Sequence, residues 1–255
     1  MPDTNELDDP LRPVVGWRQD HTESYHFPPH CDFRAQLTYA VSGVITVGTR
    51  TGTWVVPPAQ AVWVPAGIEH EVFGHGPVSN RFLYVQPEAA ATLPRDCRVV
   101  AVTELLRQLI LRASDYGPAF ATDGPGARLA AVILDELHRM VPTPLYLPLP
   151  TDPRLRVVTD GLTAAPADRR GLDDWAAIAG ASARTLGRLF RAETGMTFGA
   201  WRRRLRLLEA IAWLGRGESV TTVAYDLGYD SPSAFIAMFR RDLGASPGRY
   251  LKLKD

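Results

Sequence analysis

Lysine and cysteine are nearly absent from this sequence, with two of each among 255 residues. Two cysteines, Cys31 and Cys97, are too few for a disulfide framework, and nothing in the chain calls for export. No apolar run approaches the roughly 20 residues that a membrane span needs, so no transmembrane helix is predicted. The opening stretch MPDTNELDDPLRP is acidic and polar and lacks the basic and apolar regions of a signal peptide. A cytoplasmic location is the expectation. Several enzyme motifs are missing too: no phosphate-cradling Gly-rich loop, no G-x-S-x-G elbow and no C-x-x-C.

Basic charge is almost all arginine, since only Lys252 and Lys254 are lysines among 28 basic residues. The net charge of zero hides an asymmetry. Residues 1–150 carry 11 Arg against 16 acids, a net of −5, and residues 151–255 carry 17 bases against 12 acids, a net of +5. Only the second half is suited to meet a polyanion. The two halves also differ in periodicity. From Gln36 to Val85 the chain alternates in short runs rich in Val, Ile, Thr, Tyr and Trp, broken by Gly, Pro and Asn, which predicts an antiparallel sheet domain. Near residue 98 the period changes: VVAVTELLRQLILRASDY and GARLAAVILDELHRM have apolar residues at helical spacing, which places two helices against the sheet or a second subunit. Val141 to Pro153 holds five prolines in thirteen residues, which predicts an extended linker. Helical patterns follow to the C-terminus.

The C-terminal part repeats itself. The segment from Leu172, LDDWAAIAGASARTLGRLFRAETGMTFGAW, aligns without gaps on that from Thr221, TTVAYDLGYDSPSAFIAMFRRDLGASPGRY, at an offset of 49. Ser182 falls on Ser231, Phe190 on Phe239, Arg191 on Arg240, Gly195 on Gly244 and Trp201 on Tyr250. Such a repeat indicates a duplicated supersecondary unit. Each copy has the parts of a helix-turn-helix, at 172–195 and 220–244: a short amphipathic helix, a tight turn, a Ser placed to cap, and a second helix. That second helix buries Leu186, Leu189 and Phe190 in one copy, and Phe235, Met238 and Phe239 in the other, and leaves its opposite face for a major groove. In the first copy the free face carries Ser182, Arg184, Thr185 and Arg188, and arginine there can pair bidentately with guanine. In the second it carries Ser231, Ser233, Ala234 and Ala237, which suit close approach and thymine methyls. Arg191, Arg240, Arg241 and Arg249 sit near helix ends, where phosphate contacts form. Between the copies, residues 198–216 read as one helix of roughly 28 Å. Such a rod matches the roughly 34 Å of one DNA turn that would separate two recognition helices.

These residues resemble the AraC/XylS family of transcription regulators. The resemblance covers about residues 155–255, and VAYDLGYDSPSAFIAMFRRDLGASPGRY carries the family signature closely. The N-terminal part holds a second resemblance. His30, Asp32, Gln36 and Gly43 follow H-x-D-x3-Q-x6-G, and PAGIEH ending at His70 follows P-x-G-x2-H; both are similar to the two cupin motifs. In that pattern Asp32 replaces a histidine and Gln36 a glutamate. His30, Asp32, Gln36 and His70 form an N and O donor set for a divalent metal (Zn, Fe or Mn), or the polar lining of a small-molecule pocket. His26 and Cys31 stand close by. His21, His75 and His138 have no evident partner, and Trp54 and Trp63 read as packing groups.

The expected architecture is α+β in two domains. A cupin-like β-barrel with two following helices spans 1–140, a Pro-rich linker 141–153, and an all-α domain of two helix-turn-helix units joined by a long helix 154–255. The expected partners are an operator in double-stranded DNA, a small-molecule effector and a second copy of the chain through residues 98–140, with no membrane. The resemblance implies a regulator, not an enzyme, whose DNA binding responds to an effector in the barrel and which controls an adjacent transporter gene. The competing reading is a cupin metal-dependent oxygenase or isomerase fused to a DNA-binding module.

Overall fold

The computed structural model describes residues 12–117 and 123–251; the acidic stretch through Leu11, and Lys252 and Lys254, lie outside the described residues. Nine strands are described: β1 (Val14–His21), β2 (Tyr25–His30), β3 (Ala35–Thr49), β4 (Gly52–Val56), β5 (Gln60–Val64), β6 (His70–Val85), β7 (Arg98–Ala101), β8 (Val141–Pro142) and β9 (Tyr146–Pro148). Pairing runs β1-β6-β3-β5-β7-β8, with β2 on β6 and β4 on β3. The expected sheet-rich domain is present, but among the described strands the path does not return to its start, so the sheet is open where a closed barrel was expected. β8 ends the path with two residues. One is Pro142, which has no N–H to pass the ladder on.

The longest strands, β3 and β6, pair antiparallel from Ala35 opposite Val85 to Gly48 opposite Glu71. Register shifts between Ala40 and Val44 break the ladder into two segments. Gly43 (φ 80°) and Gly76 (φ 72°) adopt the left-handed backbone at this break, a conformation that costs glycine little. Alternation then sorts the side chains. Ala35, Leu37, Tyr39, Leu83 and Val85 join an apolar core with α1 (Glu104–Tyr116) and α2 (Gly124–His138), through Leu106, Ile110, Ala113, Ala130, Ile133 and Leu137. The intervening positions differ in chemistry. Val15, Phe82 and Tyr84 form a separate cluster with Trp17 against it, and Gln36 (3% exposed), Thr38 (3%) and Asn80 (0%) are buried polar residues.

Two strands and a boundary depart from the sequence pattern. β1 and β2 precede the expected start of the sheet at Gln36; β2, YHFPPH, carries two prolines and two histidines and gives no strand signal. The run VVAV, expected to open a helix, pairs instead: Val99 and Val100 lie opposite Val62 and Ala61 in β7. The helix begins only at Glu104, where the Thr103 side chain accepts from the Leu106 N–H.

The described chain forms two compact units. One contains residues up to Thr49 together with Trp54–Tyr146, and the other Arg50–Thr53 together with Leu147 onward. Within the proline-rich stretch, Val141 and Pro142 pair with Ala101 and Val100, and the Thr143 N–H donates to Val99 O at 2.8 Å. The second unit is helical: α3 (Pro153–Ala164), α4 (Leu172–Ile178), α5 (Ala183–Thr194), α6 (Phe198–Gly215), α7 (Val220–Asp226), α8 (Pro232–Leu243) and α9 (Pro247–Tyr250). Pro153 opens α3 at a position where its missing N–H costs nothing.

β1 meets α1 at backbone distance. A Cβ added at Gly16 would stand 2.1 Å from Ala113 O. Gly16→Val should therefore force the helix off the sheet and destabilise the first unit by about 1–3 kcal/mol. Urea unfolding of the full chain, followed by far-UV circular dichroism, checks this as a lowered midpoint.

Candidate functional site

The repeat in sequence is a repeat in geometry. α5 and α8 are each 12 residues long. Ser182 accepts from the Thr185 N–H at the start of α5, and Ser231 accepts from the Ala234 N–H at the start of α8. Both helices stop at a left-handed glycine, Gly195 (φ 69°) and Gly244 (φ 76°), whose N–H closes on Arg191 O and Arg240 O. Their buried stripes coincide under the 49-residue offset: Leu186, Leu189 and Phe190 against Phe235, Met238 and Phe239. The aligned aromatic pairs also meet. Phe190 lies 6.1 Å from Trp201, and Phe239 lies 5.5 Å from Tyr250, between ring centroids.

The outer faces differ. Arg184, Arg188 and Arg191 are exposed at i, i+4 and i+7 of α5 and make no ion pair among the described residues. They border a groove of about 670 Å³ whose other wall includes Thr197, Phe198 and Gly199 at the start of α6. Three guanidinium groups beside a helix N-terminus favour an anion. Ser182 and Thr185 bond each other at 2.9 Å, so they brace the turn as well as lining the face. On α8 the exposed residues are Ser233, Ala234, Ala237, Arg240 and Arg241. Arg240 makes no ion pair among the described residues, whereas Arg241 donates to Asp242 at 3.2 Å. Arg249 is exposed on α9.

α6 holds 18 residues, about 27 Å of helix. Its arginines are committed to the unit's own structure. Arg202 donates to Arg170 O at 2.9 Å, Arg206 to Pro166 O at 2.7 Å and Asp168 O at 3.0 Å, and Arg203 approaches Asp242 at 3.7 Å. Arg206 and Gly228 close on the same turn, because a Cβ at Gly228 would stand 2.9 Å from Ala167 O. The aligned acids have also diverged. Glu193 accepts from the Thr151 and Asp152 N–H groups at 2.7 and 3.1 Å and so anchors the start of α3, while Asp242 serves arginines.

In the first unit the structure brings three of the four expected donors together. One ligand atom each from His30, Asp32 and His70 lies within 4.8 Å of the others. His70 Nε2 stands 3.9 Å from Asp32 Oδ2. His30 ends β2, His70 lies opposite it on β6, and Asp32 follows in a turn fastened by the Gly67 N–H to Asp32 O at 2.9 Å. The convergence comes from the pairing of β2 with β6, which sets His30 against His70, and from the segment after β2 that holds Asp32 beside them. Each imidazole turns Nδ1 to a backbone carbonyl, His30 to Pro28 at 2.8 Å and His70 to Ile68 at 2.9 Å. Those bonds put the proton on Nδ1 and leave Nε2 as a lone pair. His30 Nε2, His70 Nε2 and Asp32 Oδ2 are all buried without a hydrogen-bond partner. Burial pushes the His70 pKa below its usual 6.5, helped by His30 and opposed by the Ile68 carbonyl and Asp32, which favours the neutral form that a metal requires. Two imidazoles and a carboxylate with unspent lone pairs fit a divalent transition metal.

Gln36 is buried and donates its amide to Tyr84 Oη at 3.1 Å. His26 bonds Glu71 at 3.0 Å and stacks on Phe73, and Cys31 is exposed. His75 bonds Thr46 and His138 bonds Thr92, at 2.8 and 2.7 Å. Trp54 stacks on Tyr146, and Trp63 donates to Pro94 O. The sequence pattern missed Tyr25 and Asn80, whose side chains bond each other at 2.6 Å; the signal available for Asn80 was an amide at the alternate positions that continue as Phe82 and Tyr84.

Residues 175–253 match a family described as a helix-turn-helix domain, and residues 14–134 one described as an AraC-like ligand binding domain. The chain is 36% identical over 230 residues to the HTH-type transcriptional regulator NimR of Escherichia coli K12, covering 90% of this chain and 84% of that one. It is 39% identical over 110 residues to the regulator RipA of Corynebacterium glutamicum, covering 43% and 32%. Fatty-acid-bound ToxT of Vibrio cholerae aligns over 93% of this chain and 94% of its own, at 12% identity and a TM-score of 0.39, a weak likeness. No described helix is long and apolar enough to cross a membrane. The chain belongs to the AraC family of transcription regulators, with a DNA-binding helix-turn-helix part C-terminal to a ligand-binding domain.

Proposed function

We propose that the two recognition helices divide the work of operator binding unequally. The observation behind this is the set of unpaired arginines on α5 against the alanines on α8. Ser182, Arg184, Thr185 and Arg188 read base edges in one major groove. Arg191, beside the start of α6, takes a phosphate. In the next groove Ser231, Ser233, Ala234 and Ala237 bring the backbone close, while Arg240 and Arg241 hold phosphates and add little base discrimination. The protein acts in the cytoplasm and binds its small molecule without turning it over. Occupancy of the ligand-binding domain shifts operator affinity, and DNA must change effector affinity by the same factor. A homodimer through residues 98–140 belongs to this reading, with Leu105 and Val132 exposed on α1 and α2. The target by resemblance is an adjacent transporter gene.

His30, Asp32 and His70 are the residues to hold a divalent Zn, Fe or Mn, with Gln36 kept outside the donor set by its bond to Tyr84. A bound ion supplies an electrophilic centre for a donor atom of the effector. The chain's own part is to fix both imidazole tautomers through Pro28 O and Ile68 O and to keep the donors dry.

Footprinting on the promoters flanking the protein's own gene tests the DNA reading. Arg188→Ala should relax preference at one base pair per site, by about 1–3 kcal/mol. Arg240→Ala should weaken all sequences alike and lower the slope of log affinity against log salt by about 0.9. Binding that depends on salt but not on sequence would sink the assignment. For the metal, Co²⁺ titrated into metal-free chain should give one visible-absorbing complex per chain. His70→Ala should abolish it and Gln36→Leu retain it.

A further inference from the structure

A second set of unspent polar atoms lies in the first unit, apart from the histidine and aspartate donors. Asn80 is completely buried, and its Oδ1 has no hydrogen-bond partner. Its Nδ2 donates to Tyr25 Oη at 2.6 Å, which leaves the Tyr25 hydroxyl proton without an acceptor. Turning the amide over lets Oδ1 accept that proton and strands Nδ2 instead. In either orientation the pair keeps unused hydrogen-bonding capacity. The ring of His21 stacks on Tyr25 with centroids 3.8 Å apart, and its Nε2 is a second buried atom without a partner.

These groups come from three strands and meet over a gap made for them. The Tyr25 ring occupies the place of a side chain on β6, since a Cβ at Gly74 would stand 2.1 Å from Tyr25 Cε1. Asn80 alternates with Phe82 and Tyr84, on the face of the sheet turned away from α1 and α2. A buried polar atom with no partner costs roughly 1–3 kcal/mol, so two of them, on either side of Tyr25, are expensive unless a bound molecule answers them. None of the three side chains carries a charge. Burial lowers the His21 pKa and so favours the neutral ring. The carboxylate next to His21 in the chain, Asp20, is already engaged by Ser79 at 2.6 Å and Arg81 at 2.9 Å.

We propose that Asn80, Tyr25 and His21 form the polar end of the effector site. They would recognise an uncharged molecule that presents a hydrogen-bond donor beside an acceptor, as a carboxamide, lactam or urea does. A carboxylate would meet the Asn80 oxygen, and the Arg81 guanidinium, which donates to the Asn80 backbone carbonyl at 2.7 Å, is already paired with Asp20. Phe82, Tyr84 and Trp17, on the same face, form the apolar wall beside this end. The proposal rests on the reading of this unit as an effector sensor, and it deepens that reading by naming the ligand's chemistry.

The test uses full-length protein and matched probes: acetamide with acetate, and benzamide with benzoate, titrated to tens of millimolar with thermal stability and calorimetry as readouts. At least one amide should bind, with its carboxylate partner at least tenfold weaker. Tyr25→Phe, which keeps the ring over Gly74 and removes only the hydroxyl, should weaken the amide at least fivefold, as should Asn80→Leu if it folds. Equal or tighter binding of the carboxylate, an unchanged affinity in Tyr25→Phe, or no binding of either amide would overturn the proposal. Operator affinity measured in parallel separates the two readings. An amide that binds through Tyr25 but leaves operator affinity unchanged keeps this site and removes the sensor reading. An effector that shifts operator affinity equally in wild type and Tyr25→Phe keeps the sensor and removes this site.

Discussion

A recognition helix must leave one face unpaired, so everything that holds it has to come from its other face and its two ends. α5 and α8 meet this demand identically. A serine side chain satisfies an orphan N–H at the start, a left-handed glycine closes the end, and three apolar residues ending in a phenylalanine anchor the middle. Each phenylalanine then packs on an aromatic eleven residues further on. With the anchors settled on the inside, the outer face can vary without cost to the fold. Here it has varied, to arginines on one helix and alanines on the other. The arginines of α6, by contrast, are engaged with backbone carbonyls and an acid, so a basic run in sequence is not by itself a DNA-binding surface.

The sheet applies the same division with a different period. Along β3 and β6 one set of side chains builds the apolar core with α1 and α2. The alternate set carries Gln36, Thr38 and Asn80, all buried. Polar groups on the packing face would disrupt that core, whereas on the other face they can be answered by one another, by an ion or by a ligand. Gln36 and Tyr84 answer each other. The His30–Asp32–His70 set does not, and the Asn80–Tyr25–His21 set does so in part, leaving Asn80 Oδ1 and His21 Nε2 unanswered.

Much of the helical part could be read from residue types, because caps, turns and stripes are local. Ser182, Ser231, Gly195 and Gly244 act within a few residues of themselves, and the 49-residue repeat gave two independent copies of the same pattern. The sheet part was less legible. β2 hides behind prolines and histidines, and β7 behind a run that alternates too briefly to distinguish strand from helix. Whether the sheet closes depends on partners far along the chain. No local pattern encodes that, and the cupin-like spacing pointed to a closure that the pairing lacks.

By itself the sequence determined the duplicated helix-turn-helix, the faces of its helices, and His30, Asp32, Gln36 and His70 as the residues to watch. Those follow from short-range rules of capping, periodicity and donor chemistry. Only the tertiary structure decided which donors converge, since that depends on the path of the chain at Asp32 and on paired strands whose histidines are forty residues apart. It also turned Gln36 toward Tyr84 and laid Tyr25 across Gly74. Asn80 was left with a buried amide atom that nothing else in the described chain answers.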